Sequence, residues 1–107
     1  KAREYQSRLA AGLDALLENC DALLVPTAPW IAPKEDPAIG SDAGDAEGRR
    51  TAPFNLSGHP AVSFTFGKVH GCPVGLQVIT RHGEDSRALA IARTLEQLTL
   101  PGDYWNA

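Results

Sequence analysis

Ser57 and His59 stand two residues apart, and a hydroxyl beside an imidazole is the smallest arrangement that can activate a nucleophile. Such catalysis also needs a third group to orient the base and donors aimed at the tetrahedral oxyanion, and no local spacing in the sequence promises either. Ser57 is therefore not expected to be catalytic. His59, His70 and His82 fall in three segments with different neighbours, and Cys20 and Cys72 form no CxxC and no zinc-type spacing with a histidine. The cysteines read as reduced, partly buried thiols, and neither a metal nor an organic cofactor is expected. Arg49 and Arg50 are able to hold a carboxylate bidentately, although two adjacent arginines in a loop are ordinarily solvated. Asp42, Asp45 and Glu47 read as solvated loop. Asn55-Leu56-Ser57 fits the glycosylation pattern, but no secretory leader opens the sequence and its use is not expected. Trp30 sits in a Pro-rich loop rather than on an apolar stripe. Loops leaving strand ends are where α/β enzymes place binding residues, and the structural alternative is an aromatic that pins the loop.

The elements that must position these residues follow from periodicity. Tyr5, Leu9, Leu13, Leu16 and Leu17 recur at helical spacing, which predicts an amphipathic helix over 3–19 whose apolar face seeks a sheet. Asp21 opens an unalternating apolar run, a strand over 22–26 that suits cover on both faces. From 27 to 50 the prolines and then Gly40, Gly44 and Gly48 resist helix and strand, predicting a long loop pinned in its Pro-rich half and mobile from Ile39 to Glu47. Strands over 61–66 and 74–79 are joined by Gly67 to Pro73, a connection short enough only for an antiparallel hairpin. Asp85 is read as the N-cap of a helix over 86–99, with Ala88, Ile91, Ala92, Leu95 and Leu98 on one stripe and an end near Leu100-Pro101-Gly102. The fold class is α/β: a small mixed sheet of three strands flanked by two helices, with edges that a larger sheet would pair.

Composition sets the bounds. The 107 residues allow one domain with a modest core. Hydrophobic residues at 43% and charged residues at 21% are those of an ordinary folded, soluble chain. The net charge of -3, from 10 basic and 13 acidic residues without a basic stripe, argues against nucleic acid as a partner. No apolar run approaches the roughly 20 residues of a membrane span, so no membrane partner is expected and a cytoplasmic origin is. The chain has no methionine and opens on Lys1, which predicts a piece of a longer translation product.

Asp21-Ala22-Leu23-Leu24-Val25-Pro26-Thr27, a Pro-rich loop, Asn55-Leu56-Ser57-Gly58-His59-Pro60-Ala61 and Pro73-Val74-Gly75-Leu76-Gln77 occur in that order. Together they resemble the closing segment of the amidase signature family, serine-dependent amide hydrolases, and the likeness covers nearly the whole chain. Thr65 departs from the pattern, where many relatives carry proline. The resemblance implies a C-terminal fragment of the larger amidase signature α/β fold. In that family a lysine and two serines form the catalytic set in a Gly- and Ser-rich setting. No such stretch exists here, and Lys34 and Lys68 do not match the catalytic lysine's context. The implied site residues are thus substrate-binding only: Trp30 at the mouth of the acyl pocket, with Thr51 and Phe54 beside an element that packs near the active site. Some relatives carry an acidic residue where this chain has Gly48-Arg49-Arg50, which leaves the substrate type open.

Asn55, Gly58 and Pro60 read as structural: the Asn side chain ties down a turn, the Gly takes a conformation closed to other residues, and the Pro sets entry into the strand. The expected partners are the rest of a parent amidase chain and a small amide substrate, and the isolated chain is expected to be inactive and to self-associate. The competing expectation is a free-standing small α/β module that binds a partner or assembles with itself, without catalysis.

Overall fold

The computed structural model describes residues 1–28, 35, 40–42 and 49–98. Their elements, in chain order, are α1 (Ala2–Leu17), β1 (Leu23–Pro26), α2 (Ala52–Ser57), β2 (Ala61–Val69), β3 (Cys72–Ile79) and α3 (Asp85–Gln97). The strands form one sheet in the order β1-β3-β2. Both pairings are antiparallel, so the described strands are not mixed in direction as the sequence predicts; the α/β class and the strand count are as expected.

The hairpin is tighter than its sequence suggests. His70 (φ 51°) and Gly71 (φ 76°) both lie in the left-handed region, the pair of conformations that a two-residue type I′ turn requires. The strands therefore continue through Gly67-Lys68-Val69 and Cys72-Pro73, where the glycines and proline predict a loop. A register shift between Thr65 and Gly67 takes up the odd residue as a bulge.

Alternation along β2 and β3 gives the sheet two unlike faces. On one, Phe64 and Val78 are buried against Ala92 of α3, with Val62, Phe66, Leu76, Ile91 and Leu95 around them. Phe64 and Phe66 meet edge to face at 6.2 Å. Ala88, Ile91, Ala92 and Leu95 of the stripe foreseen for α3 are buried or half-buried, whereas Leu98 is 63% exposed because the helix stops at Gln97, and Asp85 is the first helical residue rather than the cap. The other face carries Ser63, Gly75 and Gln77 and is roofed in part by α2.

Two expectations about the first half fail. Although α1 forms nearly as predicted, it packs mainly on α2 rather than on the sheet, and only Leu17 of its stripe is buried. Tyr5 and Leu16 are 63% and 59% exposed. β1 is not covered on both faces: among the described residues it pairs with β3 alone, and Leu24 is 53% exposed. An apolar run shows that a strand can be covered; the layer that would cover it must come from elsewhere. The third difference is α2, a helix where a turn was expected. Pro53 in its first turn is preset for helical φ, and Gly58 at φ 78° ends it, its N–H donating to the Phe54 carbonyl at 2.9 Å. Gly58 is as foreseen, whereas Asn55 lies inside the helix. The expected loop of 27–50 falls mostly outside the described residues. No helix among the described residues is long and apolar enough to cross a membrane.

Candidate functional site

The polar face of the sheet is a built surface. Thr27, just past β1, donates its N–H to the Gly75 carbonyl at 3.0 Å. Its hydroxyl meets that of Ser63 at 2.8 Å, spanning β3 above Gly75. A Cβ at Gly75 would lie 3.0 Å from Thr27 Oγ1 and 3.1 Å from Thr27 Cβ, so only glycine lets the two hydroxyls join without displacement. Gln77 is 3% exposed, and its amide Nε2 donates to the Pro26 carbonyl and to the Arg50 carbonyl. A buried amide must find such partners, and the ones it finds fasten the chain entering α2 to the sheet.

Above this floor α2 supplies a wall. Thr51, Phe54 and Asn55 face Thr27, Ala61, Ser63 and Gln77 across a cleft of about 270 Å³, with His59 completing the lining. Two of the three residues expected to touch substrate, Thr51 and Phe54, are thereby brought together. The third, Trp30, lies outside the described residues. Arg49 and Arg50 are exposed and contribute no side chain to the lining. Among the described residues the cleft offers hydroxyls, carboxamides and one aromatic wall, without an acidic, lysine or arginine side chain. Such a lining suits a neutral polar group able to both donate and accept hydrogen bonds.

Sequence reasoning leaves His59 with one neighbour, and the fold gives it three. Its side chain is fully buried, with Nδ1 2.8 Å from Ser57 Oγ and Nε2 2.7 Å from Asp14 Oδ1. Its ring lies 3.9 Å from that of His82, centroid to centroid, and His82 Nε2 is 3.9 Å from the same Asp14 oxygen. The histidines read as standing apart are therefore two that meet and one, His70, in the hairpin turn. Asp14 gave no local signal, since it sits 45 residues away among the polar positions of α1. Thr27 and Gln77 did lie within recognised motifs, and their role as cleft floor was the missing part.

The series Ser57, His59, Asp14 has the order of a catalytic triad, with its hydroxyl set inward. Ser57 is 8% exposed, its hydroxyl donates to the Phe54 carbonyl at 3.4 Å, and it is not part of the cleft lining. A nucleophile must reach its substrate, whereas this hydroxyl faces inward and holds the buried imidazole in place. Asp14, His59 and His82 form, among the described residues, a group able to hold a metal ion, each offering one ligand atom within 4.8 Å of the others.

Comparison with known proteins accounts for the cleft-forming motifs. The family model described as Amidase matches residues 1–89. An uncharacterized protein in the nthA 5′ region of Rhodococcus erythropolis is 36% identical over 103 residues, covering 92% of this chain and 52% of that protein. A glutamyl-tRNA(Gln) amidotransferase subunit of Pseudothermotoga lettingae is 41% identical over 101 residues, covering 91% of this chain but 21% of the relative. Among solved structures, an amidase superposes with a TM-score of 0.76 at 35% identity, over 89% of this chain and 23% of that one. The corresponding glutamyl-tRNA(Gln) amidotransferase subunit of Thermotoga maritima gives 0.77 at 34% identity, over 88% and 21%. This chain thus spans about half the length of one relative and about a fifth of the others. With a family model covering most of its length and the same fold in solved members, the chain belongs to the amidase family.

Proposed function

We propose that this chain supplies part of the central sheet and one wall of the substrate pocket of an amidase that hydrolyses a carboxamide C–N bond. The nucleophile and oxyanion donors, in this reading a Ser-Ser-Lys set, come from outside these 107 residues. The observation that carries the reading is the cleft: a neutral lining of hydroxyls and amides beside the Phe54 ring matches an uncharged, planar carboxamide next to an apolar acyl group. Thr51 and Phe54 contact substrate, and Trp30 stands at the mouth of the acyl pocket. Substrate binding here needs no metal or organic cofactor. Exposed Leu24, Leu16 and Tyr5 are surfaces that the remainder of a parent chain covers, and in its absence a second copy does. The two free cysteines fit a reducing, cytoplasmic setting.

Assay of the isolated chain against simple amides tests the division of labour. No turnover above background is expected, and turnover abolished by Ser57→Ala would make the buried relay catalytic and overturn the reading. In the parent enzyme, Trp30→Ala is expected to shift the ratio of kcat/KM between bulky and small acyl groups by about 1 to 3 kcal/mol, the range for pocket-shape discrimination. An equal loss for every substrate would reduce Trp30 to a pin for its loop.

A further inference from the structure

We infer that Asp14, His59 and His82 form a binding site for a divalent transition metal of the zinc class. Three segments distant in sequence converge on it: α1 brings Asp14, the link from α2 to β2 brings His59, and the link from β3 to α3 brings His82. Two imidazole nitrogens and a carboxylate oxygen are a donor set suited to zinc, cobalt or nickel, and less so to magnesium or calcium, which prefer oxygen alone.

The surroundings of His59 fit a ligand. Ser57 Oγ lies 2.8 Å from His59 Nδ1 and 3.4 Å from the Phe54 carbonyl, and its one hydroxyl proton can be given to either. The same oxygen accepts the His59 backbone N–H at 3.4 Å, and with its proton turned to the Phe54 carbonyl it can also accept from Nδ1–H. In that tautomer, the one a metal at Nε2 requires, the Nε2 lone pair faces the Asp14 carboxylate and the His82 ring. Without a metal, Nε2–H donates to the Asp14 carboxylate at 2.7 Å, and a metal would take the place of that proton between the two atoms. A metal-ligating histidine characteristically has its other nitrogen fixed by such an outer partner. Burial locks the His59 ring, while Asp14 and His82 are 54% and 49% exposed, leaving an entry path and room to adjust. Adjustment is small: ligand atoms around a tetrahedral zinc lie about 3.3 Å apart, so Asp14 retreats slightly from His59 and His82 closes from 3.9 Å. Three protein ligands leave a fourth position for water.

Isothermal titration of the full chain with zinc chloride, repeated with cobalt(II) and followed by visible absorption, tests the site. One metal per chain and the intense bands of four-coordinate cobalt(II) are expected. His82→Ala and Asp14→Asn alter exposed groups, so far-UV circular dichroism should stay native while affinity falls at least as far as the roughly 10- to 100-fold expected for removing the outer partner with Ser57→Ala. His70→Ala and Cys20→Ser should bind as the wild-type chain does. In the unaltered chain, cobalt(II) should displace the ring-proton resonances of His59 and His82 and leave those of His70 in place. No binding by the wild-type chain, binding that survives both His82→Ala and Asp14→Asn, or a paramagnetic effect centred on His70 would each overturn the proposal.

Discussion

Helices α1 and α3 are joined to the molecule by opposite chemistry. α3 presents the buried Ala92, flanked by Ile91 and Leu95, to Phe64 and Val78, and its attachment is a close-packed apolar layer. α1 buries only Leu17 fully, with Leu9 and Leu13 half-buried, and is tied as well by polar groups that reach it from far along the chain. Gln6 Nε2 donates to the Leu56 carbonyl at 2.6 Å, and Asp14 meets His59. Arg81 Nη2 donates to the Leu17 and Cys20 carbonyls at 2.6 and 2.8 Å. The last turn of α1 has no basic residue of its own, so Arg81 supplies both the missing hydrogen bonds and the positive charge that a helix C-terminus favours. The lesson is one of tolerance. An apolar layer holds a helix through many weak contacts of any compatible shape, whereas a polar tether depends on a few atoms placed correctly.

The largest effect is expected where the apolar side is broken. Phe64→Ala removes the buried ring between β2 and α3 and should cost about 3 to 5 kcal/mol, measured by urea denaturation. A loss under about 1 kcal/mol would mean that α3 is not held by this layer. The polar side should yield less and more locally. Arg81→Ala should cost about 1.5 kcal/mol, the low end for hydrogen bonds to a charged group, because its side chain is 36% exposed. Amide hydrogen exchange separates the two regions. In Arg81→Ala the protection of α1 should fall while that of α3 is kept, as for local opening; equal loss in both would make them one cooperative unit and end the contrast.

What was legible in the sequence divides along the same line. The stripe of Ala88, Ile91, Ala92 and Leu95 announced the α3 interface because apolar burial leaves a period in the chain. Gly58 announced a left-handed residue, and Thr51 and Phe54 were placed beside the pocket by their motif context; the fold brings both to one cleft. The equally regular stripe of Tyr5, Leu9, Leu13 and Leu16 misled, since periodicity states that a face is apolar and not what covers it. α2 was hidden because six residues with an early proline and a closing glycine resemble a turn as much as a helix. The hairpin hid its length for a related reason: Gly67 and Pro73 are loop-forming by propensity, and pairing to the opposite strand overrode them.

By itself the sequence determined the amphipathic helices, the strand segments and the order of motifs that marks the family, because each is encoded in the identity and spacing of near neighbours. Only the tertiary structure decided that Thr27 and Ser63 would meet above Gly75, that Gln77 would anchor the wall of the cleft, and that Asp14, His59 and His82 would converge. Polar contacts of this kind join one or two atoms across tens of residues, so they leave no period to read, and their partners are fixed only when the apolar layers have set the backbones in place.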